Sequence, residues 1–562
     1  MENKANHETI PTPVSAEAIA EVVEADIVVV GAGPAGLSAA ASAAEKGAKV
    51  VLLEKYPRIA APGGPGAPFL GSRLQRAREE SGGMPLSYLA AMMGAGAPPG
   101  MPPMPGPAGM PPMGAPPGMP PMSGPPGPGA PPEGFAGMPS PPMVQECGPV
   151  PSKEEIVRDL WEASAGRADL RLIKIWADRS GETADWLIDM ADEQGIQVMV
   201  GRFSHFFSRP GISPLCLDRT PIGCREAAEN DGELCLLLMI AKTAAKHGCD
   251  IRCGHAAERL IREESGRVTG VIARRQDGSY VRVDAAKAVI LATGDYGMND
   301  EMLAEYCPWV LGLPKLMLPT VTGDGHRMAM WVGAKIEEGQ HCAMLHFNST
   351  NETPVVHWRP VGMMSHQSNL YVNKLGERIV DESLSHEFQA NIVLRQPGKS
   401  YFQVFDAKSV DGSNCGDVDK CMLTGAVLKG DTVEELAVKL GADPKVLRAT
   451  VDRYNELVQL GRDDDFGKDS KYMTSKVDTA PYYVCESPPD LLCVMGGLQR
   501  NLDGQVLDRD FKVIPGLYGA GNVAGGFWGD TYPMGVMGGI ARSHALVFGR
   551  LAGVHAAGLA YD

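Results

Sequence analysis

The sequence predicts an α/β fold: a nucleotide-binding domain with a mixed or parallel sheet and helices, an inserted α+β capping domain, and a disordered Pro/Gly/Met-rich insertion. Three observations predict it. A strand, glycine turn, helix and second strand run from Ala25 to Lys55; a second glycine-rich segment followed by a helix closes the chain; and a mixed segment separates the two. A nucleotide fold that opens near the N-terminus and is completed near the C-terminus implies a domain inserted between. The expected boundaries are 22–335 for the first part of the nucleotide domain, with the low-complexity insertion at 84–145, 336–475 for the capping domain and 476–562 for the second part.

The first unit reads "ADIVVVGAGPAGLSAAASAAEKGAKVVLLEK". Ile27 to Val30 form a continuous β-branched run, as expected of a strand buried on both faces. Gly31, Gly33 and Gly36 follow at G-x-G-x-x-G spacing, then an alanine-rich helix ended by Gly47 and a strand closing on Glu54. Gly31 permits the tight turn, Gly33 lets the backbone approach a pyrophosphate, and Gly36 lets helix and strand pack closely. The helix N-terminus faces the phosphates, and Glu54 sits where a carboxylate accepts ribose hydroxyls. Together these parts make a Rossmann-type dinucleotide unit.

From Met84 to Pro132 there is no charged residue, and much of the stretch is "PPGMPPMPGPAGMPPMGAPPGMPPM". Proline denies it helix and central strand and glycine denies it rigidity, so a mobile polyproline-II-like loop is expected. It reads either as a tolerated surface insertion or as an interaction arm with a soft methionine surface. Ser152 and Glu155 form a capping box opening a run of two or three helices. "ELCLLLMIAKTAAKHG" reads as a helix ended by Gly248, and a hairpin turning at Asp277-Gly278 leads into Ala292-Thr293-Gly294.

The net charge of −16 argues against nucleic acid or an anionic membrane surface as partner. No signal peptide and no apolar run of membrane-spanning length is read, and the twelve cysteines contain no C-x-x-C. A soluble cytoplasmic protein with reduced thiols and no metal is expected.

Six blocks resemble, in order, the fumarate reductase/succinate dehydrogenase flavoprotein family, which includes soluble fumarate reductases, urocanate reductase and ketosteroid dehydrogenases. They are "DIVVVGAGPAGLSAA…EK", "AVILATGDYGMNDEML", "TGDGHRMAMWVGA", "YVNKLGERIVDES", "VMGGLQRNLDGQV" and "GLYGAGNVAGG…MGGIARSHALVFGRLAG". The resemblance implies FAD, with adenosine near Glu54 and Lys55 and pyrophosphate on Gly33, Pro34 and Ala35. Gly521 and Asn522 would lie beside the ribityl chain, and the last helix, at Gly538 and Gly539, would face the flavin pyrimidine, where a helix N-terminus stabilises negative charge. Ala256, Thr293, Gly294 and Asp324 complete the expected cofactor set. Asn522 stands where the family often has glutamate.

The family transfers hydride between flavin and an activated carbon–carbon bond, which makes this chain an expected oxidoreductase of CH–CH groups. Such a reaction needs a group that polarises the conjugated substituent and an acid at the α-carbon. In the fumarate reductases an arginine after the G-x-R-x-x-x-E block delivers the proton; here "GERIVDESLSHEFQAN" holds His386 at that place. A family histidine before "MGG" is replaced by Leu492 and Cys493, and the segment Gly521 to Gly539, "GNVAGGFWGDTYPMGVMGG", contains a tyrosine but no lysine or arginine. Two carboxylate-binding groups are therefore missing. Tyr532 instead resembles the tyrosine of the ketosteroid dehydrogenases' "S-Y-x-G-x-G", whose hydroxyl and a glycine N–H, here Gly535, bind a ketone oxygen. Packed loop aromatic is the competing reading of Tyr532.

Trp528, His326 and Tyr401 are further substrate-site candidates beside Tyr532, Tyr296 is another possible site aromatic, and His341, His346, His357 and His366 are possible cleft residues without metal-ligand spacing. The resulting expectation is hydride transfer to or from a neutral, apolar α,β-unsaturated ketone, such as a 3-oxo-Δ4 steroid or bile-acid intermediate. Direction is left open, and so is the electron donor, NAD(P)H or a redox protein. Two alternatives stand beside it. One is a reductase of fumarate, urocanate or acrylate-type carboxylates that borrows Arg225 or Arg359; the other is an electron-transfer flavoprotein subunit docking through the proline-rich arm.

Overall fold

The computed structural model describes residues 9–59, 66–73, 76, 152–196, 198–200, 214–217, 232–262, 266–347, 370–384, 386–411, 418–423, 425, 427–530 and 532–559. The proline-rich insertion lies outside them, as do Arg225, Arg359, His357 and His366.

In chain order the nucleotide domain begins with β1 (Ile19–Val30), α1 (Pro34–Glu45) and β2 (Val50–Glu54), followed by α2 (Lys153–Ala163), α3 (Leu170–Glu193) and α4 (Gly232–Lys246). Then come β3 (Asp250–Cys253), β4 (His255–Arg262), β5 (Val268–Arg275), β6 (Tyr280–Leu291) and α5 (Asp324–Trp331). The middle contributes β7 (Cys342–Phe347), β8 (Leu370–Val372), α6 (His386–Val393), β9 (Tyr401–Asp406), β10 (Val427–Gly430), α7 (Val433–Leu440), α8 (Pro444–Leu460), β11 (Tyr482–Ser487) and β12 (Pro489–Met495). β13 (Gln505–Leu507), β14 (Val513–Gly519) and α9 (Ile540–Ala556) return to the first domain.

The main sheet has the order β13-β14-β6-β1-β2-β3, with β4 and β5 running on from β6. β1 pairs in parallel with both β2 and β6, and β14 pairs in parallel with β6, so strands from both ends of the chain share one sheet. Alternation along the strands sorts the core. Ile27, Val29, Val50 and Leu52 pack with α1, α3, α4 and α9, while Val28, Val30, Val51 and Leu53 face a second cluster with Val271, Val283 and Met328. β1 starts eight residues before Ile27, because its polar first half pairs with β6 from Ile19 onward.

Local signals set several boundaries. Ser152 Oγ accepts from Glu155 N at 3.2 Å and Glu155 Oε2 from Ser152 N at 2.8 Å, closing the capping box of α2. Gly278 takes φ +87° in the β5–β6 hairpin, where Asp277 accepts from Ser279. Gly47 and Gly248 take φ +85° and +88° beyond the ends of α1 and α4.

The middle segment forms an antiparallel sheet, β8-β9-β11-β10, on which α7 and α8 pack through Leu436, Leu447, Val451 and Tyr454. Beneath it lies a buried ion lattice. Arg378 meets Glu382 at 2.9 Å and Asp463 at 2.7 Å, and Lys468 meets Glu382 at 3.1 Å. Two cations and two carboxylates balance, so the desolvation cost of each charge is offset by its partners. The block "GERIVDE" is thus a structural anchor for the chain leading into α6.

α1 and α9 touch backbone to backbone: a Cβ on Gly549 would strike the carbonyl oxygen of Ala35, and one on Gly553 that of Ala39. Helix propensity alone favours Gly549→Ala by about 1 kcal/mol, but overpacking against a backbone that cannot rotate away costs about 1–3 kcal/mol. Gly549→Ala is therefore expected to lower the midpoint of urea unfolding; a raised midpoint would show that the two helices are free to separate.

Candidate active site

The expected cofactor residues converge where β1, β2, α5 and α9 meet. Gly31 takes φ +107° and a Cβ there would strike Ala292 O, while a Cβ on Gly36 would strike Gly31 O. Gly33 caps α1 in an extended conformation without a side-chain bond, Pro34 occupies the first turn, and nothing lies within 4 Å of a Cβ built on Gly33. The N-terminus of α1 thus carries no side-chain cap. Glu54 accepts from Ala32 N at 2.8 Å and Tyr56 N at 2.7 Å, which places its carboxylate at the turn. Lys55 Nζ holds Asp324 Oδ2 at 2.7 Å and Thr322 Oγ1 at 2.8 Å.

Thr293 Oγ1 is buried and makes no hydrogen bond, Gly294 takes φ +76° with open space in front, and a Cβ on Gly521 would meet the Ala35 methyl at 3.0 Å. Asn522 bonds the carboxylate of Asp295, which also accepts from Gly297 N at 2.7 Å and which burial pushes up to about 6. Gly538 and Gly539 precede α9, whose N-cap Gly539 takes φ +80° with no side-chain cap. Ala256 lies half-buried on β4, in register with Arg274. A helix N-terminus at Gly33 without a side-chain cap, an orphaned threonine hydroxyl and a glycine-lined cradle suit a dinucleotide.

Beside this cradle a narrow crevice separates the middle segment from the loop before α9. Trp309, Ala343, Met344, Leu345, Glu387 and Tyr532 line it, with Ala390, Asn391 and Met534. No cation stands among these described lining residues. Tyr532 is buried, and its hydroxyl accepts from Ala541 N at 3.2 Å, in the first turn of α9. Burial pushes the phenol well up, so Tyr532 stays protonated at neutral pH. Trp528 packs on it with ring centroids 5.6 Å apart. Gly535 N donates to Glu387 Oε1 at 2.7 Å, joining the loop to α6.

His386 opens α6, and its side chain lies outside the described part, like that of His346 on β7. His326, on α5, is buried edge-on to Tyr296 at 5.3 Å, beside the Gly496-Gly497 backbone. Burial pushes His326 down to about 3, so its ring is neutral. The Tyr296 hydroxyl lies 2.6 Å from His341 Nδ1. Tyr401 sits within the β9 sheet, against Tyr371 at 4.5 Å and bonded by Gln403 at 3.0 Å.

One arrangement escaped the sequence reading. Glu337 Oε2 accepts from Gly526 N at 2.6 Å, and Arg500 Nε donates to Gly525 O at 3.3 Å. Both atoms belong to the single peptide joining Gly525 to Gly526, which is thereby gripped between a half-buried carboxylate and a buried guanidinium. Arg500 also lies 4.0 Å over the Phe548 ring and 3.3 Å from His544 Nε2, which accepts because burial beside the guanidinium keeps His544 neutral. From the far side, Asp169 N donates to Gly526 O at 2.7 Å. The only signal in the sequence was the Gly525-Gly526 pair itself: a Cβ on Gly525 would strike the Glu337 carboxylate.

The FAD binding domain family matches residues 133–537, and an FAD dependent oxidoreductase family matches residues 26–82. A fumarate reductase (cytochrome) of Shewanella frigidimarina is 27% identical, over 95% of this chain and 77% of that protein. A urocanate reductase of Eggerthella lenta is 31% identical, over 54% of this chain and 50% of that protein. Among solved structures, the 3-ketosteroid-Δ4-(5α)-dehydrogenase from Rhodococcus jostii RHA1, in complex with 4-androstene-3,17-dione, superposes with a TM-score of 0.68. It is 22% identical and covers 97% of this chain and 99% of that one, a likeness of fold. Among the described residues no helix is long and apolar enough to cross a membrane.

The grip on the Gly525-Gly526 peptide has a pH signature. Burial raises Glu337 from the ordinary 4.5 to about 7, against the pull of Arg500. The folded protein therefore keeps this proton up to about pH 7 whereas the unfolded chain releases it near 4.5, so the stability linked to this group is full below 4.5 and is lost as pH rises to 7. That loss is on the order of 3 kcal/mol. Glu337→Gln is expected to flatten the fall in unfolding free energy across this window, measured by urea titrations at several pH values; an unchanged slope would assign it to other groups.

Proposed function

We propose a neutral α,β-unsaturated ketone as substrate for this chain, which belongs to the FAD binding domain family of fumarate reductase/succinate dehydrogenase flavoproteins and is a flavin-dependent oxidoreductase acting on carbon–carbon bonds. The carrying observation is the crevice itself: a buried, protonated Tyr532 at the N-terminus of α9, apolar walls from Trp309, Met344 and Leu345, and a lining that holds one carboxylate and no cation among its described residues.

FAD, when bound, supplies the hydride chemistry at the carbon–carbon bond. Gly33, Pro34, Ala35, Gly36, Glu54 and Lys55 would hold its adenosine and phosphates, Thr293, Gly294, Gly521 and Asn522 its middle, and Gly538 and Gly539 its pyrimidine edge. Tyr532 donates its hydroxyl proton in a hydrogen bond to the substrate carbonyl and so stabilises the developing enolate without a buried cation. Gly535 N–H is the second donor once Glu387 gives way. His386, or a water, delivers the proton to the α-carbon in the reducing direction and removes it in the other. Trp528 backs Tyr532 and limits its rotation. A flat, apolar ring system, such as a 3-oxo-Δ4 steroid or bile-acid intermediate, suits these walls.

A second reading keeps a specific support. The curated relatives above act, by their names, on fumarate or urocanate, both carboxylates, and the positive charge of Arg542, on the first turn of α9, is felt at the Tyr532 hydroxyl. The deciding experiment is anaerobic: dithionite-reduced protein mixed with 4-androstene-3-one, fumarate or urocanate while flavin reoxidation is followed. Fast reoxidation by the steroid enone is expected, slowed about 10²-fold in Tyr532→Phe, the usual cost of one oxyanion donor. Reoxidation by fumarate or urocanate alone would establish the carboxylate reading instead.

A further inference from the structure

We propose that Glu387 is a specificity-determining residue whose carboxylate, seated on the Gly535 N–H inside the Tyr532 crevice, excludes carboxylate-bearing substrates and admits neutral carbonyls. The inference rests on the reading of that crevice as the substrate site.

Glu387 and Gly535 are 148 residues apart in the chain, yet Glu387 Oε1 accepts from Gly535 N at 2.7 Å. The contact is fixed from both sides. Glu387 is the second residue of α6, and the chain entering α6 is anchored by the ion lattice of Arg378, Glu382, Asp463 and Lys468. Gly535 belongs to the short helix Met534–Met537, directly after Tyr532, whose hydroxyl is tied to Ala541. The carboxylate oxygen therefore stands where the second acceptor on this loop, the substrate oxygen, has to arrive. A neutral carbonyl replaces it as an acceptor without adding charge. A substrate carboxylate brings a like charge beside Glu387, whose bond to Gly535 lies on the exposed side of a crevice walled by Trp309, Met344 and Leu345, and the two repel. Rejection by an opposing like charge is a common route to specificity.

The test uses the oxidised, FAD-loaded protein, which binds unsaturated compounds without turning them over. The probes are cyclohex-2-enone and cyclohex-1-ene-1-carboxylate, with dissociation constants read from the absorbance change of the bound flavin. Glu387→Gln, nearly isosteric and still able to accept from Gly535, is expected to tighten carboxylate binding by about tenfold or more while enone binding moves less than about threefold. Glu387→Asp should keep the wild-type preference. In the wild type, raising ionic strength from about 0.05 to 0.5 M should tighten the carboxylate alone, a readout that needs no variant.

An unchanged preference in Glu387→Gln, with a wild-type melting curve, overturns the proposal, as does a carboxylate affinity that ignores or falls with salt. Tyr532→Phe separates the two levels. If it weakens enone binding while Glu387→Gln changes nothing, only the role of Glu387 fails; if neither variant alters either ligand, the crevice is not the substrate site.

Discussion

Two helices from opposite ends of the chain lie in backbone contact, and most of the architecture follows from that constraint. Gly549 and Gly553 on α9 leave room for the main chain of α1 at Ala35 and Ala39. With α1 tied to β1 and β2, and α9 tied to β14, the strands of both ends are committed to one sheet, and the intervening residues can only be an excursion from it. The contact also fixes a length. Gly549 meets Ala35 at the start of α1, while Ile540 begins α9 nine residues earlier, about 13 Å along the axis. The N-termini of the two helices are thus held a fixed distance apart.

The loop before α9 is glycine-rich and would be pliable on its own, so its shape has to come from elsewhere. It comes from buried charges used as scaffold. Glu337 and Arg500 hold opposite atoms of one peptide, Asp169 N holds the next carbonyl, and Trp176 Nε1 reaches Ser543 Oγ at 3.2 Å on α9. Across the crevice the lattice around Arg378 does the same for the approach to α6. Each buried charge is costly in isolation; grouped, each is compensated by partners that lose more if the arrangement slips. The two walls of the crevice are therefore set independently of any ligand.

Local features of this fold were legible because short-range chemistry determines them. The G-x-G-x-x-G turn, the Ser152–Glu155 capping box, the Asp277-Gly278 hairpin and the glycine ends of α1 and α4 each depend on residues within a few positions of one another. The first half of β1 was not legible, since "IAEVVEAD" does not alternate cleanly and gains its strand character from pairing with β6, more than 250 residues away. The candidate site divides in the same way. Tyr532 became a candidate through its resemblance to the ketosteroid dehydrogenases' tyrosine and the start of the cradle through the G-x-G-x-x-G turn, whereas Glu387, Glu337 and Arg500 owe their meaning to partners 148, 189 and 25 residues away and carry no local mark. Nothing near Gly535 in the sequence marks its N–H as occupied, because the acceptor comes from the other side of the crevice.

The absence of lysine and arginine between Gly521 and Gly539 can now be given a structural sense. A guanidinium is present, but behind the loop: Arg500 lies against Phe548, with Nε on Gly525 O and Nη2 on His544. Burial lowers it only to about 10, so it remains charged at neutral pH, with Asp169 and, once ionised, Glu337 offsetting its charge. On the reading proposed above, a cation committed to scaffold leaves Tyr532, a neutral phenol, as the polarising group of the crevice. That choice shapes the chemistry. A phenol kept protonated by burial strengthens its hydrogen bond as negative charge grows on a carbonyl oxygen, and so favours the enolate over the ground-state ketone. A full cation in the same place would bind an anionic ground state almost as tightly as the transition state. If Glu387 acts as proposed, the carboxylate on the other wall of the crevice lowers the standing of anionic ligands while leaving that differential stabilisation intact.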